Sequence, residues 1–188
     1  METTTYSFIF TPTNSEKFEQ NAFKYYLGNF CILDEEDNVL FSDTVYHLID
    51  HEEGQNSITK ELPTYSKPVY FQFNLGVDSL NNVSGILDGD LDPSLGMYWS
   101  WQSGYINFKF EGGSKNDQRV YHLGGYLSPN LCVQQIKFPL SDTKLNIQFA
   151  VDEFLEESSK ITTKDIMSPG SNAVEISKCA AKSFYLVK

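Results

Sequence analysis

The chain has 188 residues and a formal net charge of −11, and 40% of its residues are hydrophobic and 14% aromatic. This composition excludes a disordered chain, and the length predicts a single domain, 1–188, with a substantial core. The acidic balance argues against nucleic acid and anionic membrane surfaces as partners, because both require a basic patch.

Short apolar runs separated by turn residues predict strands in the first half of the chain. Phe and Tyr are abundant and Ala is scarce, which favours strands over helices. Gly28, inside one run, predicts a bulge or a close backbone approach. Residues 56–66 carry no decisive pattern and are compatible with a loop. The predicted strands are 6–10, 23–33, 39–41, 45–49 and 69–75.

The second half continues the same pattern and then changes character near the C-terminus. Predicted strands cover 97–101, 118–126, 131–138 and 144–151. Residues 171–184 predict a helix that Ser171 and Asn172 cap. Many short strands with frequent turns predict a mainly β fold, an antiparallel β-sandwich of Ig-like or Greek-key type, with this short helix packed on an edge or end.

Both tryptophans lie in one predicted strand. Trp99 and Trp101 are two residues apart, so they are expected to share a face of the sheet. Two adjacent indoles expose a large apolar area, so they are expected either in a core or lining a site.

The same Tyr-His-Leu triplet occurs twice and carries His47 and His122. Strand alternation points each imidazole opposite to its two neighbours. The residues alone leave two interpretations open, ordinary histidines or metal ligands. His51 lies four residues after His47, but the general-base Glu of a zinc protease is absent, and we expect His51 to be exposed in a polar turn.

Other constellations give weaker signals. Asp88, Asp90 and Asp92 resemble the start of a calcium loop, but Pro93 and Trp99 occupy positions where an EF-hand requires Gly and Glu. The aspartates are therefore expected to form turns, with a looser calcium site as the alternative. No hydrolase motif is present. The cysteines permit at most one internal disulfide, and their pairing stays open; they are Cys31, Cys132 and Cys179.

Several sequence segments resemble the MbnP-like family, which includes methanobactin-associated copper proteins and a copper-repressible surface protein of methanotrophs. The segments are FKYYLGNFCILDEEDNVL, VYHLID, LGVDS, DLDP, GMYWSWQSGYINFK and VYHLGGY. They occur in the family's order and cover most of residues 20–126.

The resemblance implies a non-enzymatic copper protein that holds the metal through two histidines and a kynurenine made from a tryptophan. The matching histidines are His47 and His122. Trp99 and Trp101 are both candidates for modification, with a slight preference for Trp101, and Asp78 is a candidate second-shell acceptor for a histidine. An intact indole is a donor only, whereas its ring-opened product carries an amine and a ketone that bind metal.

The resemblance also implies a partner and a location. The partner would be an MbnH-like di-haem enzyme that oxidises the tryptophan. The protein would be exported, with its leader removed, and would be periplasmic or at the cell surface, with a lipid anchor as a further option; its role would lie in copper acquisition or homeostasis. The alternative function is a β-sandwich module that recognises a carbohydrate or a protein through its aromatic face, with or without calcium.

Overall fold

The computed structural model describes residues 2–13, 15–64, 68–99, 104–161 and 164–187. The predicted β-sandwich with a C-terminal helix is confirmed. The strands found in this part of the chain are β1 (Thr3–Pro12), β2 (Glu19–Leu33), β3 (Val39–Asp43), β4 (His47–Asp50), β5 (Ser57–Pro63), β6 (Tyr70–Leu75), β7 (Tyr98–Trp99), β8 (Gly104–Tyr105), β9 (Phe108–Ser114), β10 (Asp117–Leu123), β11 (Gln134–Pro139), β12 (Lys144–Phe149), β13 (Asp165–Ile166) and β14 (Phe184–Val187).

The strands form two main sheets and a small hairpin. The four-stranded sheet has the order β14-β12-β1-β5, and the larger sheet has the order β11-β6-β2-β9-β10-β13, with β3 and β4 also paired to β2. The hairpin joins β7 to β8. Most pairs are antiparallel, but β1 with β12 and β10 with β13 are parallel. The wholly antiparallel prediction is corrected here, because these partners lie far apart in the chain and need no tight turn between them.

Phenylalanine rings fill the space between the two sheets. Phe8 of the four-stranded sheet lies 4.9 Å from Phe71 of the larger sheet, and Phe10 lies 5.8 Å from Phe73, measured between ring centroids. Burying a side chain of this size contributes about 1.5–3 kcal/mol. We call the side of the eight-stranded sheet that faces this core the inner face, and the opposite side the outer face.

Three α-helices accompany the sheets in the described ranges: α1 (Ser79–Val83), α2 (Val151–Ser158) and α3 (Ser171–Lys182). The predicted C-terminal helix is confirmed, but its N-cap is Gly170 rather than Ser171 or Asn172, and it ends at Lys182 because Phe184 already begins strand β14. The prediction that 144–151 is wholly strand was wrong at its end, because β12 stops at Phe149. Phe154 and Leu155 are buried at helical spacing after Val151, so a helix begins there.

Two further predictions concern the first half of the chain. Residues 56–66, taken as compatible with a loop, contain β5, whose Ile58 and Leu62 are buried against β1. The bulge predicted at Gly28 is confirmed, and the group that approaches this glycine closely is a side-chain ring rather than a backbone. The register between β2 and β6 shifts just after Gly28, and a Cβ there would lie 2.3 Å from the ring of Tyr46.

Candidate metal centre on the outer face

A row of charged side chains crosses the outer face at the level of His122. In the register of the sheet, His122 of β10 pairs with Lys109 of β9, which pairs with Lys24 of β2, which pairs with Asp50 of β4. Directly paired residues point to the same face, so these four side chains share the outer face. The Lys24 ammonium lies 2.7 Å from the Asp50 carboxylate at the far end of the row.

His122 is held by a carboxylate that the sequence analysis did not identify. Nε2 of His122 lies 2.8 Å from Oε1 of Glu111, and the hydrogen bond from His122 lowers the pKa of Glu111 below its ordinary value. An ionised carboxylate only accepts hydrogen bonds, so Nε2 carries the proton and the lone pair of a neutral ring lies on Nδ1. A carboxylate on the remote nitrogen is the usual support of a metal-binding imidazole.

Glu111 could have been found from strand alternation. It lies two residues after Lys109 in β9, on the face that His122 shares with Lys109. The signal is the FKFEG sequence, which alternates apolar and charged residues, but its use requires knowing that β9 and β10 pair.

Trp99 packs beside this row on the same face. A Cβ added to Gly124 would lie 2.7 Å from Cζ3 of Trp99, so the indole rests directly on that glycine. Gly124 lies two residues beyond His122, and strand residues two apart share a face at a spacing of roughly 7 Å. The structure therefore brings Trp99 and His122 to one side of the sheet. The glycine under the indole lies two residues along the chain from His122.

The indole belongs to an apolar cluster, called here the outer cluster, and several buried polar atoms lie in it or beside it. Trp99 Nε1, Tyr26 Oη and Asn107 Nδ2 are buried, and none has a hydrogen-bond partner among the residues that the structure describes. Burial, the neighbouring Tyr105 and nearby aspartates raise the pKa of Tyr26, so its hydroxyl stays protonated. The outer cluster consists of Tyr26, Tyr46, Leu48, Val77, Leu91, Met97, Trp99, Tyr105 and Ile106.

His47 lies on the inner face. It pairs with Leu27, a core residue, and its ring meets the edge of Phe30 at 5.9 Å. Nε2 of His47 lies 2.9 Å from the Lys60 ammonium, which also contacts the Asp43 carboxylate. An ammonium only donates, so this nitrogen accepts and its lone pair is occupied. Burial and the Lys60 charge lower the pKa of His47, so the ring is neutral near pH 7.

The structure does not bring His47 and His122 together, which corrects the expectation that both hold one metal. Lys24 pairs with Lys109 on one edge and Asp50 on the other, so β10 and β4 lie three strand spacings apart, about 14 Å. His47 lies three residues from Asp50, roughly another 10 Å along the strand. Metal–imidazole bonds are about 2 Å long, and the two rings also point to opposite faces.

Asp78 does not orient a histidine. Its carboxylate accepts hydrogen bonds from the Tyr46 hydroxyl at 2.8 Å, from Asn29 at 3.2 Å and from the backbone N–H of Asn81 at 2.9 Å. Burial alone would raise the pKa of Asp78, but these hydrogen bonds outweigh it and lower the pKa. Asp78 therefore caps α1 and fixes Tyr46, the residue before His47.

The expected exposure of His51 was wrong. Its ring stacks on Phe23 at 4.8 Å, and its Nε2 lies 3.2 Å from the hydroxyl of the buried Tyr25. Burial lowers the pKa of His51 to about 4, only partly opposed by Asp50. The position follows from strand alternation. His51 lies four residues after His47, so its side chain points to the inner face like that of His47, although the backbone has already entered a turn.

The segment that carries Asp88, Asp90 and Asp92 forms two short 3₁₀ turns, as predicted; Asp92 caps the second turn through its side chain, whereas Asp88 makes no side-chain cap hydrogen bond at the first. Asp90 accepts a hydrogen bond from the backbone of Leu48, and Asp92 accepts one from the backbone of Ser94. Within the described ranges no group of three His, Cys, Asp or Glu side chains converges in a way that could hold a metal ion. The calcium alternative therefore receives no support from this part of the chain.

The cysteines and tryptophans are the remaining residues that the sequence singled out. All three cysteines are free, and burial raises the pKa of Cys132 to about 11. Trp101 lies outside the described residues. Trp99 and Tyr105 are only 2% and 1% exposed, so neither ring is available as a stacking platform for a sugar.

A copper site fits the outer face in part. The described residues there offer Nδ1 of His122, with Glu111 beside it, and a nitrogen donor suits copper. An intact Trp99 cannot complete the set, since its indole nitrogen is a donor only. His47 does not fit, because Lys60 occupies its Nε2 and the ring faces the core.

Together the fold and this face define a β-sandwich protein with a histidine–carboxylate pair beside a tryptophan-bearing hairpin. The family described as MbnP matches residues 1–173, and the chain belongs to that family. It is a family of methanobactin-associated, non-catalytic accessory proteins that is linked to the periplasm.

A solved structure supports the same fold. MbnP from Methylosinus trichosporium matches with a TM-score of 0.62 at 13% sequence identity, over 83% of this chain and 78% of that chain. At this identity the likeness establishes the fold alone. No curated protein sequence matches the chain. Among the described residues, no helix has the length and apolar character that crossing a membrane requires.

Proposed function

We propose that this protein is an exported copper-binding protein whose site lies on the outer face, with His122 as its anchoring ligand. The observation that carries the proposal is the common location of His122 and Trp99 on one face, with the Glu111 carboxylate fixing the imidazole. Family membership supports the class of function. The physiological role would be copper acquisition or homeostasis, without catalysis by this chain.

A modified tryptophan would supply a second donor. Trp101 is the preferred residue, because Trp99 is 2% exposed and packs as part of the outer cluster. A partner di-haem enzyme of the MbnH type, using an external peroxide as oxidant, would cleave the C2–C3 bond of the indole with addition of two oxygen atoms. Hydrolysis would then release C2 as formate and leave an aromatic amine and a ketone. The copper would then rest between His122 and the product, while Glu111 keeps the proton on Nε2 and directs Nδ1 toward the metal.

The ligand set proposed here differs from the one that the family resemblance implies by the omission of His47. Copper titration by calorimetry, on protein co-expressed with its haem partner, separates the two. We expect His122→Gln to weaken copper binding at least about 100-fold, whereas the matched change His47→Gln leaves it within about twofold. Equal weakening by both variants would overturn the outer-face site and restore the two-histidine set.

Mass spectrometry identifies the modified residue. The peptide spanning residues 97–109 is compared between protein made with and without the haem partner. A mass change that persists in Trp99→Phe and disappears in Trp101→Phe supports the proposal. A change that depends on Trp99 would move the modification to the buried indole, and no change in any sample would remove the modified ligand altogether.

A further inference from the structure

A groove of about 390 Å³ lies between strand β11 and the C-terminal part of α3, away from the outer face. Its volume is within the range of known ligand pockets. Three lysines reach it, and apolar side chains such as Ile136 and Phe184 line it between them. We call it the lysine groove; its lysines are Lys137, Lys178 and Lys182.

No strand among the described residues pairs with the outer edge of β11. The Leu140 N–H donates to the carbonyl of Val69, which extends the β11–β6 ladder and shows that the even-numbered residues of β11 bond to β6. The N–H and C=O groups of Gln135 and Lys137 therefore point away from β6, toward the groove. Pro139 has no N–H and ends this stretch. β11 is the terminal strand of its sheet, so the edge is open to another strand.

The charge of the groove is opposite to that of the protein. The chain carries a net charge of −11, yet Lys178 and Lys182 of α3 line the groove, while alternation along β11 places the side chain of Lys137 on the opposite side of the strand from Ile136. Lys137 contacts Asp37 and lies over the ring of Tyr70, and Lys178 pairs with Glu175. These pairs lie at the surface, where an ion pair contributes only about 0–1 kcal/mol and can exchange for another carboxylate. Lys182 has no carboxylate partner in the part of the chain that the structure describes.

We propose that the lysine groove binds an extended, acidic segment of a partner protein, which adds a strand to the edge of β11. The backbone groups of Gln135 and Lys137 would pair with the segment, and its carboxylates would lie against Lys178 and Lys182. Strand addition uses main-chain hydrogen bonds for affinity and side-chain contacts for specificity. The groove combines both requirements, because the same opening presents free backbone groups and complementary charge. This binding site is independent of copper.

A labelled peptide tests the proposal. The probe is a fluorescein-labelled octapeptide that alternates glutamate with valine, and its binding to the full chain is followed by anisotropy at low and high salt. We expect saturable binding that weakens with salt, and amide chemical-shift changes centred on Gln135 and Lys137. Lys182→Glu should weaken binding about fivefold, which corresponds to the loss of one exposed ion pair.

Two variants distinguish the groove from net charge and from loss of folding. Lys115→Glu makes the same charge change on an exposed turn outside the groove and should have less than a twofold effect. Gln135→Pro removes a free N–H without touching the ladder to β6 and should abolish the shift changes while the thermal melt is retained. Equal effects of Lys182→Glu and Lys115→Glu, or shift changes away from β11, would overturn the proposal. So would equal binding of a peptide with lysine in place of glutamate.

Discussion

The inner and outer faces of the eight-stranded sheet bury aromatic side chains in different ways. The inner face is lined with phenylalanines that pack on the four-stranded sheet and on α2 and α3. The outer cluster is smaller, is rich in tyrosine and contains Trp99. Buried donors of Tyr26, Trp99 and Asn107 lack partners there among the described residues. Buried polar groups are normally paired, so these three donors are a feature of the outer face that apolar packing alone does not explain.

The largest effect on stability should come from the core between the inner face and the four-stranded sheet. Phe149 is 1% exposed, and its ring lies within 4.8–5.6 Å of the rings of Phe23, Phe108, Phe154 and Phe184. We expect Phe149→Ala to reduce the free energy of unfolding by about 3–5 kcal/mol in urea denaturation, because the cavity cannot close around four fixed rings.

The control for this prediction is Val187→Ala, whose side chain is 37% exposed at the end of β14. That change should lower the free energy of unfolding by less than about 0.5 kcal/mol. A loss below about 1 kcal/mol for Phe149→Ala would show that the core between the two sheets is not the main source of stability.

The next effect concerns the pH dependence of folding. The pKa of His51 is lowered to about 4 by burial, against 6.5 for the free side chain. Between these values the unfolded chain binds more protons, so the contribution of His51 is complete above about pH 6.5 and is lost as the pH falls toward 4. The loss is about 3 kcal/mol, since one pKa unit corresponds to about 1.4 kcal/mol.

Urea denaturation of the wild type and of His51→Gln at several pH values measures this term. The wild type should lose about 3 kcal/mol more than the variant between pH 6.5 and 4. Depressed carboxyl pKa values, such as those of Asp43 and Asp78, affect both proteins alike. Parallel pH curves for the two proteins would mean that His51 is exposed, as its position in a turn had indicated.

The sequence predicts the strands well where a period of two is unbroken. Leu145, Ile147 and Phe149 alternate, and β12 ends at the last of them. Val151 keeps the same parity, but Phe154 and Leu155 follow at helical spacing, so the boundary was misplaced by two residues. Local periodicity identifies the elements. Where the two-residue period of a strand meets the 3.6-residue period of a helix, it does not fix the boundary between them.

The candidate site is harder to predict, because it depends on which strands pair. Alternation correctly places each histidine opposite to its Tyr and Leu neighbours. It does not tell which of the two faces is inner, and that is decided by the pairing of His47 with Leu27 and of His122 with Lys109. The same missing register hid Glu111 and misplaced Asp78. Contacts between residues far apart in the chain are therefore the part that one sequence does not reveal.

A third prediction compares two tyrosines near the outer face. The hydroxyl of Tyr46 donates to Asp78 and accepts from its backbone N–H at 3.1 Å. We expect Tyr46→Phe to lower the free energy of unfolding by about 2 kcal/mol, because a hydrogen bond to a charged group is lost. The control Tyr126→Phe removes a hydroxyl without a hydrogen bond among the described residues and should cost less than about 0.5 kcal/mol. Equal losses would show that Asp78 does not need Tyr46.

The smallest effect on the free energy of unfolding is expected at Glu111, where copper affinity should change strongly. This variant therefore distinguishes the role of the outer face from that of the inner face most clearly. Glu111 is partly exposed, so Glu111→Gln should change the free energy of unfolding by less than about 1 kcal/mol. The neutral amide no longer holds the proton on Nε2 of His122 as firmly, and the imidazole loses its fixed orientation. If the proposed function is correct, copper affinity should fall about 10–100-fold.

Glu52→Gln is the matched control, because it makes the same charge change beside Lys24 at the other end of the charged row. It should leave copper binding within about twofold, since Glu52 does not contact His122. A Glu111→Gln variant that binds copper no more weakly than Glu52→Gln would show that the carboxylate serves only the surface charge. A loss confined to Glu111→Gln would instead show that the outer face uses its polar groups for metal binding, while the phenylalanines of the inner face maintain the fold.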